Sequence, residues 1–183
     1  IVSPEFKGAG HPVVWLCPEY GPDGLPVAAS LKKVYQSVNR LMKKGKVLAA
    51  YTATFGGVAE AVLKMALGNG IGFRFDEGCT LDELFAYSYG SFVLELTEQE
   101  EIGLPLGVTT EEGSFTWREE SIPLQELQEA YEGKLEPIYP CNIAQGQKEI
   151  PTLSAHGDSW KKPLIKAAKP RVCLLYTSDA ADE

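Results

Sequence analysis

The stretch KVLAAYTATFGGVAEAVLKMALGNG, residues 46–70, decides how the rest of the chain is read. Lys46 to Thr52 is a run of small and branched apolar residues, the composition of a buried strand. Ala53-Thr54-Phe55-Gly56-Gly57 turns directly into Val58 to Leu67, which is apolar almost all round and so predicts a buried helix. Gly68-Asn69-Gly70 ends that helix. Two glycines at a tight strand-to-helix turn let backbone N–H groups approach a ligand without a Cβ clash. The start of the helix adds the positive end of its dipole. Thr54, Phe55, Gly56, Gly57 and Val58 are therefore the candidate phosphate- or nucleotide-binding residues. Glycines at such turns also serve simply to pack a helix on a sheet. The turn is not a P-loop, because no Gly-Lys-Ser/Thr follows it, and no GxGxxG is present.

On the N-terminal side, Pro12 to Cys17 predicts a strand, followed by the Gly- and Pro-rich loop EYGPDGLP (residues 19–26). Leu31, Val34, Tyr35, Val38, Leu41 and Met42 then recur at helical spacing with lysines on the opposite face. Ser30 suits the N-cap, Lys43 and Lys44 the last turn, and Gly45 the position just past the end. On the C-terminal side, Ile71 to Phe75 begins another strand, an acidic stretch with a short helix at Leu81 to Phe85 follows, and Ser91 to Leu96 reads as a strand. Gly107 to Thr110 and Ser114 to Arg118 predict two strands joined as a hairpin by Glu111-Glu112-Gly113. Pro123 starts an acidic amphipathic helix. Interleaved helices and strands with a hairpin predict an α+β layered sandwich, its helices on a mixed, mostly antiparallel sheet.

The composition narrows function by exclusion. With 17 basic against 25 acidic residues and a net charge of −8, a general nucleic-acid grip is not expected. No stretch approaches the roughly 18 apolar residues of a membrane span. Cys17, Cys79, Cys141 and Cys173 lie far apart with no CxxC pair, which suits a reduced, cytoplasmic chain. Cys17 and Cys173 read as packing thiols, and His11 as a loop residue at a strand entrance. His156 has no partner in the pattern, and the acidic groups Asp82, Glu83 and Glu98 to Glu101 read as solvated surface. No catalytic constellation and no metal site is visible. Residues 1–140 form the organised domain, 141–168 a linker, and 174–183 (LLYTSDAADE) a non-native tail after a sequence that begins at Ile1 with no Met or leader.

SPEFKGAG (3–10), KKGKVLAAYTATFGGVAEAVLKMALGNGIGF (43–73) and YGSFVLEL (89–96) resemble the phosphoribosylformylglycinamidine synthases in their long, single-chain form. That resemblance implies a C-terminal subdomain of the second of two aminoimidazole-ribonucleotide-synthetase-like halves. Residues 169–173 (KPRVC) resemble the first strand of the glutaminase domain that follows in the family. The implied reaction converts formylglycinamide ribonucleotide, glutamine and ATP to the amidine. It uses ATP/ADP and Mg2+ in the intact enzyme, with the ATP-binding subdomains and the glutaminase domain as partners in the same chain.

The family's junction motif reads His-Asp-x-Ser-x-Gly-Gly, whereas here Tyr51, Thr52 and Thr54 stand where its His, Asp and Ser would be, and Gly56 and Gly57 are retained. The resemblance therefore implies an architectural piece with a degenerate nucleotide half-site, inactive alone. The alternative is a free-standing, non-catalytic nucleotide- or small-molecule-binding module of the same fold. Selenophosphate synthetases and hydrogenase-maturation proteins, which share the subdomain, are a third and more distant reading.

Overall fold

The computed structural model describes residues 2–140, which lie within one unit, Ile1–Ile143. The expected linker, the KPRVC segment, the tail, Cys141, Cys173 and His156 lie outside the described residues. The elements run β1 (Pro12–Leu16), α1 (Ala28–Lys43), β2 (Val47–Thr52), α2 (Gly57–Leu67), β3 (Gly72–Phe75), α3 (Leu81–Phe85), β4 (Phe92–Leu96), β5 (Leu104–Thr110), β6 (Ser114–Trp117), β7 (Glu120–Pro123) and α4 (Leu124–Gly133). The strands form one sheet in the order β2-β4-β1-β5-β3-β6-β7. Among the described residues every neighbouring pair is antiparallel except β3 with β6. The α+β layered sandwich on a mixed, mostly antiparallel sheet is the fold of this chain.

Strand alternation divides the core between the two faces of the sheet. Val14 and Leu16 of β1 join Leu94 and Leu96 of β4 under α1, whose Val34, Val38 and Leu41 are its buried stripe. Val13 and Val93 face the other way, toward α2. There Val58, Ala61, Val62, Met65 and Ala66 are buried to within 1% of complete, as an all-apolar helix requires. Each buried Val or Met stabilises the domain by about 1.5–3 kcal/mol. Val47 sides with α1 and Ala49 with α2 although they are two residues apart. A register shift in the β2–β4 pairing between them accounts for the reversal.

Two local expectations are corrected. Ser30 does not cap α1: the cap falls three residues earlier, at Val27, and the Ser30 hydroxyl instead accepts a hydrogen bond from the Glu19 N–H at 3.0 Å. The long loop before the helix is thereby tied to its first turn. Gly45, by contrast, takes the left-handed conformation of a helix terminator, with φ of +70°.

The second correction concerns the hairpin. β5 and β6 do not pair with each other; β3 lies between them, antiparallel to β5 and parallel to β6. The loop 111–113 passes across the start of β3 instead of closing a tight turn. It does so at Gly72, where a Cβ would stand 1.7 Å from the Glu112 carbonyl oxygen, so only glycine fits the crossing. The true hairpin is β6 with β7, turned by Arg118-Glu119, with Arg118 in the left-handed region at φ of +54°. Phe73 and Phe75 give β3 enough apolar contact to hold the central position, where β3 ties β5 to β6.

Candidate functional site

The strand-to-helix turn places the five candidate residues unequally. Thr54 is exposed, and the Phe55 ring is 90% exposed, while Val58 is wholly buried in the α2 core. Gly56 caps α2, and Gly57 donates its N–H to the Thr54 carbonyl at 3.1 Å. Gly57 also has φ of +70°, and a Cβ there would lie 2.6 Å from the Leu84 carbonyl oxygen and 2.8 Å from that of Ala86. The close approach that requires glycine at 57 is therefore made by the chain's own backbone at the end of α3.

The donors of the turn are engaged from within. Glu60, one turn into α2, reaches back so that Oε2 accepts from the Gly56 N–H at 2.7 Å and from the Thr54 hydroxyl at 2.8 Å. Its other oxygen, Oε1, lies 2.5 Å from the Lys64 ammonium. The Lys64 bond, then those of Thr54 and Gly56, hold the Glu60 carboxyl below its ordinary range, against the opposing effect of its partial burial. Glu60 in turn raises Lys64. An internal carboxylate thus sits at the helix N-terminus, where the dipole favours negative charge. Sequence reasoning passed over Glu60; the signal was its spacing, a carboxylate four residues past the cap and within reach of the orphan N–H groups.

This donor set does not suit magnesium. Thr52 stands where the motif would carry a carboxylate, Glu60 is bound to an ammonium and two hydrogen-bond donors, and no group of three or more His, Cys, Asp or Glu side chains gathers among the described residues. Asp82 and Glu83 lie at the start of α3, where Glu83 and Thr80 form a reciprocal capping box. Glu98 and Glu100 pair with Lys46.

A second polar centre was also missed. Glu95, the penultimate residue of β4, is completely buried. Its carboxylate accepts from the Lys7 N–H at 2.9 and 3.1 Å, and its Oε1 lies 2.7 Å from His11 Nδ1. The loop of residues 3–10, one of the stretches that carried the family resemblance, wraps this carboxylate. Asn69 fastens the same loop to the end of α2 by donating to the Phe6 carbonyl at 2.7 Å. His11 does occupy a strand entrance, and it also closes the site around Glu95. Cys17 is half-buried with its Sγ 3.6 Å from the Tyr20 hydroxyl, and burial pushes its thiol above the ordinary range.

Beside the turn, Gly56, Ala59, Glu60 and Leu63 of the α2 end form one wall of a cavity of about 520 Å³. Leu81, Leu84 and Phe85 of α3, Phe75 of β3, Phe115, Thr116 and Trp117 of β6, Glu120 and Ile122 of β7 and Leu127 of α4 complete it.

No family model matches the chain. In sequence it is similar to the phosphoribosylformylglycinamidine synthase subunit PurL of Methanothermobacter marburgensis, at 30% identity over 133 residues. That alignment covers 62% of this chain and 19% of the relative, so the chain spans about a fifth of the relative's length. In fold it is similar to phosphoribosylformylglycinamidine synthase II of Thermotoga maritima, with a TM-score of 0.57 at 16% identity over 84% of this chain and 30% of that one. It is likewise similar to Thermotoga maritima PurL complexed with ADP, with a TM-score of 0.58 at 16% identity over 82% and 29% of the two chains. At those identities the structures speak for the fold and the Methanothermobacter relative for the sequence. The two agree: this chain is PurL-like, and its described residues carry the fold of one segment of a phosphoribosylformylglycinamidine synthase.

Proposed function

We propose that the chain serves as an architectural part of an ATP-dependent carbon–nitrogen ligase, the enzyme that converts formylglycinamide ribonucleotide, glutamine and ATP to formylglycinamidine ribonucleotide in purine synthesis. In this reading its partners are ATP-binding subdomains and a glutaminase domain of the same chain, and it works in the cytoplasm. Residues 1–140 act as one subdomain, 141–168 as a linker, and 169–173 as the entry to the glutaminase, with 174–183 non-native. The turn Thr54–Val58 is a degenerate phosphate half-site, and the domain alone is inactive. The observation that carries this reading is the Glu60 carboxylate on the turn's donors: a phosphate would have to displace it. The loss of a carboxylate at Thr52 supports the same reading.

The test has two readouts on the full chain. Supplied with formylglycinamide ribonucleotide, ATP and either glutamine or ammonia, it is expected to release no ADP. Titrated with ADP and magnesium, it is expected to bind no tighter than about 1 mM, because one turn supplies few contacts. Substrate-dependent ADP release would refute the architectural role. Micromolar ADP binding that is lost in Thr54→Val would refute the degeneracy of the half-site.

A further inference from the structure

The cavity between α2, α3 and the β6–β7 hairpin has a composition that the ligase reading does not use. Its walls are mostly aromatic and aliphatic, and among the described residues the two charged side chains that line it are both carboxylates, with no lysine, arginine or histidine. The two carboxylates differ. Glu60 is neutralised by Lys64 and the turn, whereas the Glu120 carboxylate has no hydrogen bond or ion pair among the described residues.

Pairing in the hairpin places Glu120 directly across from Trp117, with Ile122 across from Phe115 two residues along, so all four belong to one face. The Trp117 ring is fixed in position because its Nε1 donates to the Cys79 carbonyl at 3.0 Å. The same ring already attracts a cation: the Arg118 guanidinium lies 4.3 Å from its centroid. Phe75 and Phe115 are locked edge to face, 6.0 Å apart. Pre-set aromatic faces beside an unpaired carboxylate are the elements that recognise organic cations. A volume of about 520 Å³ falls in the range of small-molecule sites.

We propose that this cavity binds an organic cation, an ammonium group carried on an apolar or aromatic body. The body would fill the space between Leu63, Phe75 and Phe115, and the ammonium would lie between the Trp117 ring and Glu120. The net charge of −8 reinforces the choice of sign. The proposal does not rest on the ligase reading: Gly56 and Glu60 of the turn line one wall, but the cation is placed at Trp117 and Glu120 and no ATP is involved.

The test is a matched set of probes titrated calorimetrically into the full chain: naphthalen-1-ylmethylammonium, naphthalen-1-ylmethanol and naphthalene-1-carboxylate. The ammonium is expected to bind at least about tenfold tighter than the alcohol, and the carboxylate weakest. Glu120→Gln, an exposed substitution that leaves the core alone, should bring the ammonium down to the level of the alcohol. Leu63→Trp, which fills the cavity, should abolish binding of all three. Equal binding of the ammonium and the alcohol would show an apolar face awaiting a neighbouring surface and would overturn the proposal. A preference that survives Glu120→Gln, or no binding of the ammonium to the folded chain, would overturn it as well.

Discussion

Substituting Glu60 with glutamine tests whether its charge holds the strand–helix junction. The carboxylate meets three donors, at 2.8 Å for Thr54, 2.7 Å for Gly56 and 2.5 Å for Lys64. Hydrogen bonds to charged groups contribute about 1.5–3 kcal/mol each when buried. The Glu60 and Lys64 side chains are 26% and 27% exposed, so the lower end of that range applies to the turn. An exposed i,i+4 ion pair adds only about 0.3–0.5 kcal/mol, and a carboxylate at a helix N-terminus about 0.3–1 kcal/mol.

Glutamine keeps one acceptor but presents an amide to the other donors. Glu60→Gln is therefore expected to cost about 1–2 kcal/mol and Glu60→Ala about 2–3 kcal/mol. Urea unfolding of the full chain followed by circular dichroism measures both. Acid provides an internal control. The Glu60 carboxyl is lowered from an ordinary value of 4.5, so its contribution is complete above that pH and is lost as pH falls through the lowered folded value. The gap between wild type and Glu60→Gln should thus be constant near neutrality and shrink as the solution is acidified below 4.5. A cost under about 0.5 kcal/mol for Glu60→Ala, or a gap indifferent to acid, would refute the claim that this carboxylate satisfies the turn.

Three further substitutions, with Gly113→Ala as a control, probe the frame around the site. Gly57→Ala should cost about 2–4 kcal/mol in urea unfolding, through the left-handed backbone and the Leu84 carbonyl, whereas Gly113→Ala, with nothing within 4 Å, should cost under about 1 kcal/mol. Glu95→Gln sets an amide where the Lys7 N–H and His11 require acceptors, and should cost about 2–4 kcal/mol with the surface of the protein unchanged. Gly72→Ala forces the β5–β6 loop off β3 and should cost more than about 4 kcal/mol, seen as loss of a cooperative thermal transition.

Much of this fold was legible in the sequence because its strongest signals are local. The apolar run of β2, the all-apolar α2 and the stripe of α1 each follow from periodicity within a dozen residues, and each lies where that periodicity predicts, except that Tyr35 of the α1 stripe is exposed. The errors arise where a distant segment intervenes. Glu111-Glu112-Gly113 has the chemistry of a hairpin turn, but nothing nearby announces that Phe73 and Phe75 will enter between the two strands. Ser30 is a good cap by type, yet Glu19 takes its hydroxyl from outside the helix.

The candidate site was legible to the same extent. Its glycines marked the turn correctly, but the reason for Gly57 lay in the carbonyls of Leu84 and Ala86, nearly thirty residues downstream, and that for Gly56 in the returning Glu60 side chain. Glu95 was invisible for a related cause. Within FVLEL a glutamate reads as one polar position in a strand, and only the wrapped loop of residues 3–10 explains a buried charge there.

The interposed strand bears on how this chain reaches its native state. β5 and β6 are separated by three residues that favour direct closure, and closing a short loop is among the fastest events available to an unfolded polypeptide. The native sheet instead needs β3, whose nearer end is some thirty residues upstream, to arrive between them. A premature β5–β6 pairing is thus a competing product built into the sequence, and it must reopen before β3 enters. Early docking of β3 against β5, with α2 already seated on the sheet, avoids that detour. The order in which strands meet, and not only the depth of the final minimum, sets how efficiently this domain folds.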